Sequence, residues 1–351
     1  MATTADPSQL RSQNATPFAP HELPLDAHAI RRILVCADRS PFSEGCLMQA
    51  VAIASGLGSA LTVLHVMEPP HERHGLHTTD VLDWEIARQE AEARLAQLLR
   101  EGEQAGSGSI SVRLEQGHPA ERIMAVATEI DADLTVLAGH GERGLSAWSL
   151  GSTAQQVLSM TQRSVLLVRA PRSPAREASP KRILVPLDGS LRTESVLPTA
   201  ARIARVHGAE LLLVFIVGEP LPTEVLSLGE DLDLARDLAS RMQRRGQQYL
   251  ERLHEQLARD GGPVRTLVIR SDDERRTLLD LADKETSDLI VISAHGSTYN
   301  RKSTFGSITT HFLLHSVVSV LVLQDLPDSS KPVKDESRSA PPPRASFAEQ
   351  S

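Results

Sequence analysis

The chain has 351 residues, about twice an ordinary domain, so two domains are the first expectation. Apolar residues make up 40% and charged residues 23%, enough apolar material for a core, which excludes disorder throughout. Lys plus Arg total 37 against 45 for Asp plus Glu, a net charge of -8 that argues against a surface built to neutralise nucleic-acid phosphates.

Residues 1–28 are rich in Ala, Thr, Ser, Gln and Pro without periodicity and read as a disordered tail. From 29 onward, short apolar runs alternate with amphipathic stretches. Strands are predicted at 33–37, 60–66, 110–115, 134–138 and 165–168. Continuous Val, Ile and Leu runs of this length, separated by helix-length segments, mark parallel strands covered on both faces. Ser40 followed by Pro41 opens the first helix, as an N-cap with proline at the first helical position. The segment 80–100 spaces Leu82, Ile86, Leu95, Leu98 and Leu99 among charged residues, the pattern of a surface helix. Ser152 with Gln155 forms a capping box for a later helix. Three prolines in the stretch APRSPAREASP then interrupt any helix and mark a linker.

Beyond the linker the chain repeats itself. RRILVCADRS at 31–40 recurs as KRILVPLDGS at 181–190, an offset of 150, and HGERGLSAWSLGS at 140–152 recurs as HGSTYNRKSTFGS at 295–307, an offset of 155. The gain of about five residues falls between them, in the long second helix or its flanks. Second-copy strands are predicted at 183–187, 211–217, 264–269, 289–293 and 320–323. A period near 150 is several times that of a solenoid repeat and indicates a duplicated domain. The expectation is an α/β chain of two similar doubly wound domains, 29–170 and 181–324, joined by a linker at 171–180 and flanked by tails at 1–28 and 325–351. Right-handed crossovers put helices on both faces of each sheet.

The longest apolar run, seven residues at 211–217, is far below the ~20 that cross a bilayer, and no charged-then-apolar leader opens the chain. A soluble, cytoplasmic protein without membrane or nucleic-acid partners is expected. Cys36 and Cys46 lack CxxC spacing and read as small apolar residues.

In doubly wound sheets, ligands bind beyond the carboxyl ends of the strands, where the strand order reverses. Asp38 and Asp188 follow the first strand of each copy. A carboxylate there accepts hydrogen bonds from ribose hydroxyls or base amines, or simply forms the turn before a helix. After the fourth strand, Gly141 is followed by nine residues and then Gly151 and Ser152; Gly296 is followed by nine residues and then Gly306 and Ser307. Glycines allow backbone to approach an anion, and a helix start offers unpaired N–H groups and a positive dipole. Plain N-capping by the serines is the alternative reading.

These residues resemble the universal stress protein family in its tandem two-domain form, over both copies and not the tails. Members of that family that bind ATP carry Gly-x2-Gly-x9-Gly-Ser/Thr after the fourth strand and an Asp after the first. The resemblance implies ATP, with or without Mg, contacting Asp38, Val66, Gly141, Gly151 and Ser152 in one copy, and Asp188, Ile216, Gly296, Gly306 and Ser307 in the other. Ala138 and Ser293 stand where the first motif glycine is expected, which puts Cβ atoms where backbone would meet the ligand. The resemblance further implies a five-stranded parallel sheet of order 3-2-1-4-5 in each domain and pairing of the domains through 164–168 and 319–323. It also implies a homodimer, and a non-enzymatic stress or signalling role in which nucleotide biases pairing or the choice of a protein partner. Slow ATP hydrolysis or phosphotransfer in the same pocket, and an interaction module that has lost nucleotide binding, are the alternatives.

Rival motifs fare less well. GHGERG at 139–144 matches GxGxxG, but the next strand runs into the linker instead of ending on an acidic residue, and the second copy lacks the pattern. No GxxxxGK[ST] occurs. His71, His74 and His77, with Glu72 and Asp80, read as a solvated loop before a metal site, since one loop preforms no geometry. Glu142 in the first loop, against Arg301 and Lys302 in the second, leads to the expectation that the second copy holds triphosphate at least as well as the first.

Overall fold

A computed structural model describes residues 28–38, 40, 42–68, 81–106, 108–139, 150–169, 179–218, 229–259, 261–297 and 303–324. The histidine run at 71–77, Gly141, Glu142, Arg301, Lys302 and most of both tails and of the linker lie outside the described residues.

The first half runs β1 (Arg32–Ala37), α1 (Phe42–Leu57), β2 (Ala60–Met67), α2 (Val81–Gln104), β3 (Ile110–Gln116), α3 (Pro119–Glu129), β4 (Leu134–Ala138), α4 (Ser152–Met160) and β5 (Ser164–Val168). The second half runs β6 (Arg182–Leu187), α5 (Leu191–Glu194), α6 (Leu197–His207), β7 (Glu210–Gly218), α7 (Gly229–Ala258), β8 (Val264–Ser271), α8 (Glu274–Lys284), β9 (Leu289–Ser293), α9 (Ser307–His315) and β10 (Ser319–Leu323). All ten expected strands are present, each within two residues of its predicted ends.

The strands form one sheet in the order β3-β2-β1-β4-β5-β10-β9-β6-β7-β8. Each half therefore has the parallel order 3-2-1-4-5, and the halves join where β5 meets β10 antiparallel, with Leu166 opposite Leu321. Serines close both ends of this junction: the Arg169 amide donates to Ser319 Oγ at 3.0 Å, and the Gln324 amide to Ser164 Oγ at 3.1 Å. Edge strands that would otherwise present unpaired backbone are thus paired with each other.

Alternation along each strand divides the core. Ile33 and Val35 face one layer, formed by α1, α2, α6 and α7, while Leu34 faces the other, formed by α3, α4, α8 and α9. Both apolar clusters contain residues from both halves, so the core is continuous across the junction. Helices α1 and α6 also meet there, with Arg202 Nη2 donating to Leu57 O at 3.1 Å and a His207 ring nitrogen 2.7 Å from Ala52 O. Cys46 is buried in one layer and Cys36 half-buried against the other, so the thiols lie on opposite faces of the sheet; burial raises both above the ordinary thiol range.

Three local differences have physical causes. The long first helix of the second half breaks into α5 and α6 because Pro198 lacks an N–H and its ring crowds the carbonyl of Glu194. The inserted residues lie largely in α7, which has 30 residues against 24 in α2. Ser152 does not cap α4: Gly151 is the N-cap residue, no side-chain cap bond forms, and the capping box expected with Gln155 is absent.

Candidate functional site

The strand order reverses between β1 and β4 and between β6 and β9, which places a crevice at the carboxyl end of each pair. Pro186 removes a backbone donor from β6, whose ladder to β9 ends at Leu184, whereas β1 remains in register with β4 as far as Val35.

At the first crevice, Asp38 Oδ1 accepts from the Ser40 amide at 3.0 Å, from the Ser40 hydroxyl, and from Ser43 Oγ at 2.8 Å. At the second, Asp188 Oδ1 accepts from the Ser190 amide at 2.9 Å and from Thr193 Oγ1 at 2.8 Å. These are Asx turns that lead into a helix, so the turn-forming reading holds for one carboxylate oxygen in each half. In the second half the other oxygen reaches the loop after β9. Asp188 Oδ2 accepts from the Ser297 amide at 2.6 Å, across 109 residues of sequence. Burial alone would raise the Asp188 carboxyl, but its hydrogen bonds from Ser190, Ser297 and Thr193 outweigh that and hold it below the usual range.

This contact explains Gly296. A Cβ there would stand 2.6 Å from Asp188 Oδ2, so only glycine admits the carboxylate at this distance. The loop that follows is pinned at both ends in the same way in each half: the Gly306 amide donates to Ala294 O at 2.8 Å, and the Gly151 amide to Gly139 O at 3.0 Å. Helices α4 and α9 then begin with glycine N-caps and no side-chain cap bonds, leaving their first amides for another acceptor. At Gly306 a Cβ would stand in van der Waals contact, 3.4 Å from Ala294 O and 3.8 Å from the Gly296 nitrogen, so this helix start lies close against the Gly296 backbone. Val66 and Ile216, at equivalent places near the ends of β2 and β7, are half-buried; Ile216 lies between buried Phe215 and Val217, Val66 between half-buried His65 and buried Met67. Ser293 turns its hydroxyl onto His295 O at 2.7 Å, while its own carbonyl accepts from Thr309 Oγ1 at 2.8 Å, so this non-glycine residue is absorbed into the turn.

The structure thus gathers Asp188, Gly296 and the Gly306–Ser307 helix start in the second half, and Asp38 and the Gly151–Ser152 helix start at corresponding places in the first. A bare helix start, a glycine cradle and a fixed carboxylate suit a phosphorylated ligand that also carries hydroxyl or amine donors.

Several residues around the sites were not singled out from sequence. Glu274, at the start of α8, has its carboxyl raised by desolvation first and by the charge of Asp188 second; Pro119 occupies the equivalent place in the first half. Glu194 is 1% exposed, with Arg252 Nη2 3.7 Å from its carboxylate, and the Arg252 guanidinium lies 5.5 Å from the centre of the Tyr249 ring. Its counterpart Glu44 is exposed. The guanidinium of Arg169 is buried beside Gly139. None of these belongs to a motif, and the burial of Glu194 and Arg169 depends on packing between distant elements.

No helix among the described residues is long and apolar enough to cross a membrane. A universal stress protein of Synechocystis is 28% identical over 153 residues, which is 39% of this chain and 97% of that protein, the length of one half. The crystal structure of a universal stress protein from Archaeoglobus fulgidus covers 84% of this chain and 98% of its own, at a TM-score of 0.56 and 18% identity. A Pseudomonas aeruginosa protein of unknown function covers 85% of this chain and 94% of its own, at a TM-score of 0.59 and 17% identity. These two structures share the paired arrangement as a fold. The universal stress protein family model matches residues 29–169 and again 180–324, and the chain therefore belongs to the universal stress protein family, as a tandem of two copies.

Proposed function

We propose that this protein binds adenine nucleotide, ATP first, at the carboxyl ends of β1–β4 and β6–β9, and acts in stress response or signalling by letting the bound nucleotide bias domain pairing or partner choice. In this reading the domains are 29–170 and 181–324, the linker 171–180 and the tails 1–28 and 325–351. The ligand contacts are Asp38, Val66, Gly141, Gly151 and Ser152, with Asp188, Ile216, Gly296, Gly306 and Ser307. Mg accompanies ATP where the phosphates require it, a homodimer forms beyond the internal pairing, and the protein works in the cytoplasm as a binder and not an enzyme.

The observation that carries the reading is the Ser297 amide on Asp188, which brings the acid after the first strand and the glycine loop after the fourth into one place. The uncapped starts of α4 and α9 support the phosphate end of the ligand. The test is to release and identify small molecules from freshly purified protein and to incubate the protein with ATP. Adenine nucleotide released in molar amounts without turnover agrees with the proposal. Turnover abolished by Gly151→Val with Gly306→Val would replace it with an enzyme, and failure to carry or bind nucleotide would leave an interaction module.

A further inference from the structure

Arg169 follows β5 and lies at the junction of the halves. It is 4% exposed, yet no carboxylate pairs with it among the described residues. Its Nη2 donates to Leu313 O at 2.7 Å, in the last turn of α9, where a cation meets the negative end of the helix. Nε and Nη1 have no hydrogen-bond partner among the described residues. A buried guanidinium with an unfilled edge and no counter-charge is costly, because its hydration has been removed and not replaced. Burial accordingly pushes the group below its ordinary range.

The unfilled edge faces a particular place. A Cβ on Gly139 would stand 2.8 Å from Nη1 and 3.0 Å from Cδ of Arg169, so Gly139 is the residue that makes room for the guanidinium. Gly139 also meets the start of α4, since its carbonyl accepts from the Gly151 amide. The second half has neither partner: Ala294 stands where Gly139 does, and Gln324 where Arg169 does, with the Gln324 amide nitrogen 3.4 Å from Arg163 O. The glycine and the arginine therefore occur together in one half and are both replaced in the other.

We propose that Arg169 is a phosphate-binding residue of the first half, its Nε and Nη1 edge taking a phosphate oxygen pair held at the start of α4 while Nη2 remains on α9. Two parallel N–H bonds from a guanidinium match a phosphate, which is why arginine suits this task better than lysine. The identity of the ligand as a nucleotide rests on the function proposed above; the anion site does not.

The experiment uses the full chain with 15N-labelled arginine, the Arg169 Nε–H signal being assigned by its loss in Arg169→Lys. Tripolyphosphate and adenosine are added separately. Tripolyphosphate is expected to move the Arg169 signal and adenosine to leave it in place. In a Gly306→Val background, Arg169→Gln is expected to weaken ATP at least tenfold and adenosine less than twofold. A signal unmoved by tripolyphosphate overturns the inference, as does an Arg169→Gln protein that melts earlier but binds ATP as the parent does, since Arg169 would then serve only to cap α9. A signal that shifts on Glu142→Gln and not with tripolyphosphate would give the guanidinium to the loop carboxylate and overturn it as well. If tripolyphosphate moves the signal while neither ATP nor adenosine binds, the anion site stands and the nucleotide reading falls.

Discussion

The two halves keep the same backbone and surround it with opposite charges. Asp38 and Asp188 sit in the same turn, and Gly139–Gly151 and Ala294–Gly306 close the same loop. Around that frame the first half has a buried cation, Arg169, while the second has the buried acid Glu194. Duplication thus preserved what sequence spacing and main-chain hydrogen bonds dictate and left the electrostatics of each site free to diverge. The role proposed for Arg169 weighs against the ranking drawn from Glu142, Arg301 and Lys302, which lie outside the described residues: Arg169 is desolvated, and a desolvated charge acts through a lower effective dielectric. The first site is accordingly the one expected to discriminate more strongly for phosphate.

The largest effect should come from separating the halves. Leu166 and Leu321 face each other across the junction and are both fully buried, so Leu166→Arg with Leu321→Arg would bury two unpaired charges at an expected cost above about 5 kcal/mol. Denaturant unfolding should show the full chain largely unfolded, and a loss below about 1 kcal/mol would mean that the halves do not depend on this contact. Leu321→Ala alone should cost about 2–5 kcal/mol.

Next come the sites themselves. Gly151→Val and Gly306→Val should each remove one site and together remove all ATP binding, as read by calorimetry. Loss of all binding from one single substitution would show that only one half is functional. Gly296→Ala is subtler, because it leaves the fold intact but pushes the Asp188 carboxylate from its donors. It should weaken nucleotide at the second site by about tenfold, the scale of one charge-assisted hydrogen bond, with no change at the first.

The smallest effect is acidic. Asp188 has a folded-state pKa below the ordinary aspartate value of about 3.9, so its contribution is fully present above that value and is lost as pH falls through the lower folded value. Asp188→Asn should therefore lower stability by about 1–2 kcal/mol at pH 7, a gap that closes in acid. A gap that persists unchanged to pH 2 would mean that the carboxylate charge is not what its donors recognise.

How much of this was legible follows from where the information lies. Strands such as β4 and β9 are continuous apolar runs, and a repeat of the same runs fixed their pairing order by family resemblance and their existence by composition alone. The site frame was legible because glycines and an acid recur at set spacing. Ser152 was misread as a cap because serine at a helix start usually is one, yet Gly151 already supplies the N-cap backbone. Pro198 did carry a readable signal for the α5–α6 break, which the repeat with α1 obscured. Arg169 carried none: in sequence it is the residue after a strand, and its burial comes from contacts distant in sequence, with Gly139 and with α9 of the other half.

The most direct test of the account is a calorimetric titration of nucleotide-stripped full-length protein with ATP. The account predicts saturable binding with as many as two ATP per chain, lost when Gly151 and Gly306 are both replaced by valine. No binding heat from a folded, stripped protein that also yields no adenine nucleotide on purification would contradict it.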